Sequence, residues 1–157
     1  MQSAKVRSTL SLLTSPPLTN RYGYIMLDIK TLTDDLSVCA QIDKMDLKTI
    51  ADKGFKTIIC NRPDGEAEEQ PLNGELEMLA NRLGLDFIQQ PVIAGALIDE
   101  DYQTFAKLIN EAQKPILAFC RTGTRCSTLW VNGTQDLGSV DARLAKATEL
   151  GFKIKTL

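Results

Sequence analysis

From Leu36 onward, short apolar runs rich in β-branched residues alternate with stretches whose apolar positions recur every three to four residues. Residues 36–39 predict a strand, and Asp43 stands where it would cap a helix whose Leu47, Ile50 and Ala51 share one face before Gly54 ends it. A second strand is predicted over 55–60. Beyond the loop 61–66, Leu76, Leu79, Ala80 and Leu83 fall at i, i+3, i+4 and i+7 and predict a helix closed by Gly84. A third strand over 85–90 precedes a helix over 99–113, whose expected buried stripe is Phe105, Leu108, Ile109 and Ala112. The fourth strand is expected over 115–119. A helix from about Thr124 follows, then a last one capped by Ser139 and ended by Gly151. Strands separated by helices predict one α/β domain, with a mostly parallel central sheet of about four to five strands flanked by helices on both faces. Ligands of such sheets bind beyond the carboxyl ends of the strands, where this pattern places Cys120.

Composition narrows the chemistry. At 157 residues and 43% hydrophobic, the chain is sized for one core. Its net charge of -2, with Lys and Arg scattered, supplies no basic stripe for a nucleic-acid backbone. The chain has no histidine, so a Ser-His or Cys-His pair is excluded and the commonest nitrogen ligand of metals is missing. No metal and no cofactor are expected. The four cysteines form neither a disulfide framework nor a C-x-x-C pair, and no apolar run approaches the ~20 residues of a membrane span, so a cytoplasmic, membrane-free protein is expected. Residues 1–27 contain no acid, carry Lys5, Arg7 and Arg21, and are rich in Ser, Thr and Pro. They are expected as a flexible extension, leaving 28–157 as the domain.

One loop concentrates the chemistry: Cys120-Arg121-Thr122-Gly123-Thr124-Arg125, between a predicted strand and a predicted helix. Backbone N–H groups turned inward there cradle a tetrahedral anion, and the helix N-terminus adds positive potential. A thiol at that place has its pKa lowered by the helix and by Arg125, which makes Cys120 a nucleophile without a histidine. Arg125 is suited to hold two oxygens of an anion through its planar fork. Arg121, Thr122, Gly123 and Thr124 complete the cradle, and Arg62 is either a second clamp on the anion or a partner of Glu66. Cys39 and Cys60, in apolar strands, read as core, as does Trp130; Cys126 is core filler or a thiol that resolves an oxidised Cys120.

The segment from Ile116 to Arg125, with the earlier Thr57-Ile58-Ile59-Cys60-Asn61-Arg62-Pro63-Asp64-Gly65-Glu66, resembles the beta-lactamase-hydrolase-like, phosphatase-like domain family over about 32–152. The resemblance implies a fold similar to dual-specificity phosphatases, with Cys120 attacking phosphorus to form a phosphocysteine and Arg125 binding the phosphoryl oxygens. It implies a phosphate-containing or other small anionic substrate. Four residues separate Cys120 from Arg125, where tyrosine phosphatases have five, and this shorter loop resembles rhodanese sulfurtransferases, whose cysteine carries a persulfide. The Pro91-Val92-Ile93-Ala94 stretch lacks the Asp that supplies the general acid in dual-specificity phosphatases. Asp64 and Glu66 are the acid candidates, with Asp99, Glu100 and Asp101 as alternatives.

Overall fold

The computed structural model describes residues 26–157 together with Pro16 and Thr19. The extension expected over 1–27 therefore lies almost wholly outside the described residues, although Leu27 packs against the core.

Five strands form one sheet: β1 (Lys30–Thr31), β2 (Leu36–Cys39), β3 (Thr57–Cys60), β4 (Asp86–Gln89) and β5 (Ile116–Phe119), in the order β1-β2-β5-β3-β4. All neighbours are parallel except β1, which runs antiparallel along the edge beside β2. This two-residue strand has too little apolar pattern to be read from sequence. Helices α1 (Asp46–Asp52), α2 (Asn73–Arg82), α3 (Asp99–Glu111), α4 (Thr124–Gly133) and α5 (Val140–Glu149) connect and cover the strands.

The strand residues alternate between two buried layers. Leu36, Val38, Ile59, Ile116 and Ala118 face a cluster with Phe105, Leu129 and Trp130, whereas Cys39, Ile58, Cys60, Leu117 and Phe119 face one with Ile42, Ile50 and Leu76. A sheet buried on both faces needs near-continuous apolar strands, and β2, β3 and β5 are buried throughout.

Helix α4, Thr-Arg-Cys-Ser-Thr-Leu-Trp-Val-Asn-Gly, shows how packing overrides local preference. Its β-branched and polar residues each cost a few tenths of a kcal/mol, up to ~0.7, relative to Ala. Burying Leu129, Trp130 and Val131 returns about 1.5–3 kcal/mol each, so tertiary contact decides. Trp130 is core as expected, and its indole N–H donates to Asp136 at 2.7 Å.

Three local expectations are corrected. Asp43 does not cap α1: the helix begins at Asp46 after Met45, and the Asp43 N–H instead donates to the Asp46 carboxylate at 2.7 Å in a preceding turn. Leu83, the last member of the α2 stripe, is exposed because the helix has ended by that point. Helix α3 stops at Glu111 rather than Gln113. Ser139 does cap α5, accepting from the Ala142 N–H at 3.1 Å.

Candidate active site

Parallel register lines up the carboxyl ends of three strands: Phe119 of β5 sits opposite both Cys39 of β2 and Cys60 of β3. Cys120 follows directly, so it emerges at the centre of the sheet edge. The loop to α4 turns at Gly123, whose φ of +90° is rarely open to side-chain-bearing residues. A Cβ there would also lie 3.1 Å from the Phe152 ring and 3.3 Å from the Cys39 carbonyl oxygen, so the position has neither the backbone nor the space for another residue. The turn aims the Gly123 N–H at the Cys120 Sγ, 3.1 Å away. Across the loop the Thr122 hydroxyl donates to that of Thr124 at 2.9 Å, and Ser127 Oγ donates to the Gly123 carbonyl at 2.8 Å.

Cys120 is fully buried, and burial alone would raise its pKa. Instead it is brought down to about 5, first by the Cys126 thiol, then by the backbone N–H groups of Cys126, Thr122 and Arg125. Burial keeps Cys126 protonated, well above the usual thiol range, so it has an S–H to give. Burial likewise pushes Cys60 up to about 12 and Cys39 upward. The four thiols therefore divide into one whose pKa is lowered and three whose pKa is raised. Iodoacetamide is expected to label Cys120 ahead of the other three at about pH 6, with a rate that climbs through about pH 5 and levels above it. Equal labelling of all four cysteines, read by mass spectrometry, would remove the activated thiolate.

Glu66 reorganises the expected roles. Its Oε1 accepts from Arg125 Nη2 at 2.7 Å and its Oε2 from Arg125 Nη1 at 2.9 Å, a two-pronged pair. Oε1 also accepts from Arg62 Nε at 2.8 Å. Arg125 Nη1 further donates to the Val92 carbonyl at 3.0 Å, and Arg62 Nη1 to Gln41 Oε1 at 3.0 Å. The hydrogen bond from Arg125, then that from Arg62, hold the Glu66 carboxyl down at about 2 against partial burial. A carboxylate so held is ionised at neutral pH and has no proton to donate. In this arrangement Glu66 positions Arg125, and the acid role expected for it is corrected. Arg62 is buried under Glu66 and does not line the cleft, which corrects its role as a second clamp. Asp64 is turned away as well: its Oδ1 accepts from the Asn73 N–H at 2.8 Å, closing the start of α2. Asp101 Oδ2 accepts from the Ile98 N–H at 2.9 Å and closes the start of α3, the ordinary work of an acid at a helix start.

A cleft of about 980 Å³ opens over the loop, lined in part by Arg121, Thr122, Thr124, Arg125, Glu66 and Tyr102. Asp64, Asp99, Glu100 and Asp101 are not in its wall. A smaller hollow of about 460 Å³ touches Leu36 and Ile116, at the amino ends of the strands, and contains no cysteine. Sequence reasoning missed Cys126 as a donor, Gln41, the Val92 carbonyl, and a wall of the cleft formed by Lys153 and Lys155.

Residues 28–137 match the family model described as "Beta-lactamase hydrolase-like protein, phosphatase-like domain". The chain belongs to this family. A beta-lactamase hydrolase-like protein of Agrobacterium fabrum is 32% identical over 116 residues, which are 74% of this chain and 26% of that protein. A relative from Xylella fastidiosa is 31% identical over 104 residues, 66% of this chain and 24% of its own. The chain thus spans about a quarter of the length of the curated relatives it matches. Among solved structures, a Neisseria meningitidis protein assigned as a phosphatase is 39% identical, with a TM-score of 0.70 over 80% of this chain and 89% of its own. TpbA of P. aeruginosa, 14% identical, has the same fold, with a TM-score of 0.62 over 90% of this chain and 84% of its own. The beta-lactamase hydrolase-like phosphatase-like domain is therefore a tyrosine-phosphatase-like α/β fold with its cysteine loop at the carboxyl edge of the sheet.

Proposed function

We propose that the domain is a cysteine-dependent phosphatase of small anionic phosphomonoesters. The observation that carries this reading is the Cys120 thiol, its pKa lowered to about 5 and its sulfur met by the inward Gly123 N–H at 3.1 Å, in a loop whose Arg121, Thr122, Thr124 and Arg125 line a cleft. The thiolate attacks phosphorus; the S–P bond forms as the P–O bond to the leaving group breaks. Water then attacks the phosphocysteine, releasing orthophosphate and returning the thiolate. Backbone N–H groups and Arg125 offset the charge on the phosphoryl oxygens, the electrostatic contribution on which such transfers mainly depend. The family and the Neisseria meningitidis relative support the class, and TpbA has been crystallised with pTyr, an aryl phosphate.

The leaving oxygen needs a proton unless it is a good leaving group. Among the described residues, Glu66 is the one side-chain carboxylate in the cleft wall, and it is ionised. Aryl phosphates are accordingly the substrates expected to react. The same observation favours a second reading, sulfur transfer through a persulfide on Cys120, because moving a sulfur atom needs no proton donor at a leaving alkoxide. The two are separated by assaying the protein in parallel for p-nitrophenyl phosphate hydrolysis and for sulfur transfer from thiosulfate to cyanide. Slow hydrolysis that exceeds sulfur transfer is expected; sulfur transfer in excess, with a persulfide trapped on Cys120, overturns the phosphatase reading.

A further inference from the structure

Beyond the family match at 28–137, the chain makes one more structural commitment. At Gly151, with φ +97°, it turns back after α5, and the Phe152 N–H donates to the Ala147 carbonyl at 3.0 Å. Phe152 lies against Gly123, and Ile154 packs on the Trp130 cluster. Asn132 of α4 fixes the segment twice: its Nδ2 donates to the Lys155 carbonyl at 3.0 Å, and its Oδ1 accepts from the Leu157 N–H at 3.2 Å. Alternation along this extended segment turns Phe152 and Ile154 inward and leaves Lys153 and Lys155 exposed, in the wall of the cleft that Arg121, Thr122, Thr124 and Arg125 of the cysteine loop also line.

The side chains of the cleft wall then include four cations, Arg121, Arg125, Lys153 and Lys155, and one carboxylate, Glu66. That carboxylate is engaged by Arg125 and Arg62, and no salt bridge among the described residues uses Arg121, Lys153 or Lys155. The chain as a whole is acidic, at -2, so the positive field is local to this cleft. One phosphoryl group in the cradle is served by the loop N–H groups and Arg125. The two tail lysines stand outside the loop and remain for other charge.

We propose that the segment 152–157 makes the cleft selective for small polyanions, molecules that carry a second phosphoryl group beside the one held over Cys120, with Lys153 and Lys155 as the cations that recognise it. That such polyanions would be substrates rests on the phosphatase reading, but the recognition itself is a matter of binding. Two lysines at a partly open site correspond to roughly a tenfold preference.

The test is calorimetric titration of Cys120→Ser protein with orthophosphate and with tripolyphosphate, at low and at physiological salt. Tripolyphosphate is expected to bind about tenfold more tightly, less so at high salt, and K153M/K155M is expected to bring the two affinities close together. Asn132→Ala, which removes the clamp and no charge, should reduce the preference in the same direction. Equal affinities for the two anions in the parent protein overturn the proposal, as does a preference left intact in K153M/K155M; both lysines are exposed, and circular dichroism checks that the variant is folded. Because binding is read without turnover, a preference for tripolyphosphate in the titration together with no hydrolysis by the protein that retains Cys120 counts against the phosphatase reading alone.

Discussion

Cys120→Ser is expected to lower p-nitrophenyl phosphate hydrolysis by at least about a thousandfold, the scale on which loss of a covalent nucleophile acts. The reason lies in what surrounds the sulfur. The Cys126 S–H and the loop N–H groups bring a thiol down to about 5, so it is ionised at neutral pH despite complete burial. A serine hydroxyl in the same place starts so far above a thiol that these donors cannot ionise it, and no histidine exists to take its proton. Binding should survive, because the N–H groups and Arg125 are unchanged; kcat should fall while the affinity for orthophosphate stays within a few-fold. Hydrolysis that persists in Cys120→Ser would place the reaction elsewhere than on this sulfur.

Arg125→Lys is expected to lower kcat/KM by about a hundredfold or more, although the charge is kept. The arginine does two things that one ammonium cannot do together. It faces the cleft, and its two terminal nitrogens fix both Glu66 oxygens at 2.9 and 2.7 Å while one also meets the Val92 carbonyl at 3.0 Å. Lysine would hold at most part of that network, leaving Glu66 nearer the anion path. A stability measurement separates this from a simple loss of charge. Glu66 ionises at about 2 in the folded protein against 4.5 in its absence, so the stability it brings is present above pH 4.5 and is lost as pH falls toward 2. Arg125→Lys removes the largest cause of that depression, so its unfolding free energy should depend less steeply on pH across this window. Unchanged kcat/KM would show that the fork is dispensable to catalysis.

Much of the site was legible because its residues are contiguous. Cys120 to Arg125 is one run of sequence whose glycine and hydroxyls announce an anion loop, and strand 116–119 before it is apolar without interruption. The carboxylates were not legible, because an acid's role depends on what faces it. Glu66 and Arg125 are 59 residues apart, and nothing local to either reveals that they pair in two prongs. Asp64 reads equally well as a turn residue and as an acid until its Oδ1 is seen on the Asn73 N–H. Cys126 was the nearest miss: its adjacency to the loop was visible, but whether its thiol faces Cys120 depends on the turn made at Gly123.

By itself, the sequence determined the alternation of strands and helices, the parallel sheet this implies, and the position of one cysteine loop at its carboxyl edge. Those follow from periodicity and short-range turn chemistry, which act over a few residues. The tertiary structure decided which charges meet. It placed Glu66 on Arg125 and Arg62, took the acids of helix starts out of the cleft, and folded the 152–157 segment back so that Lys153 and Lys155 stand over a loop some thirty residues earlier. Electrostatic roles are set by distance and burial in space rather than by spacing along the chain, and for that reason they emerge after the chain has packed.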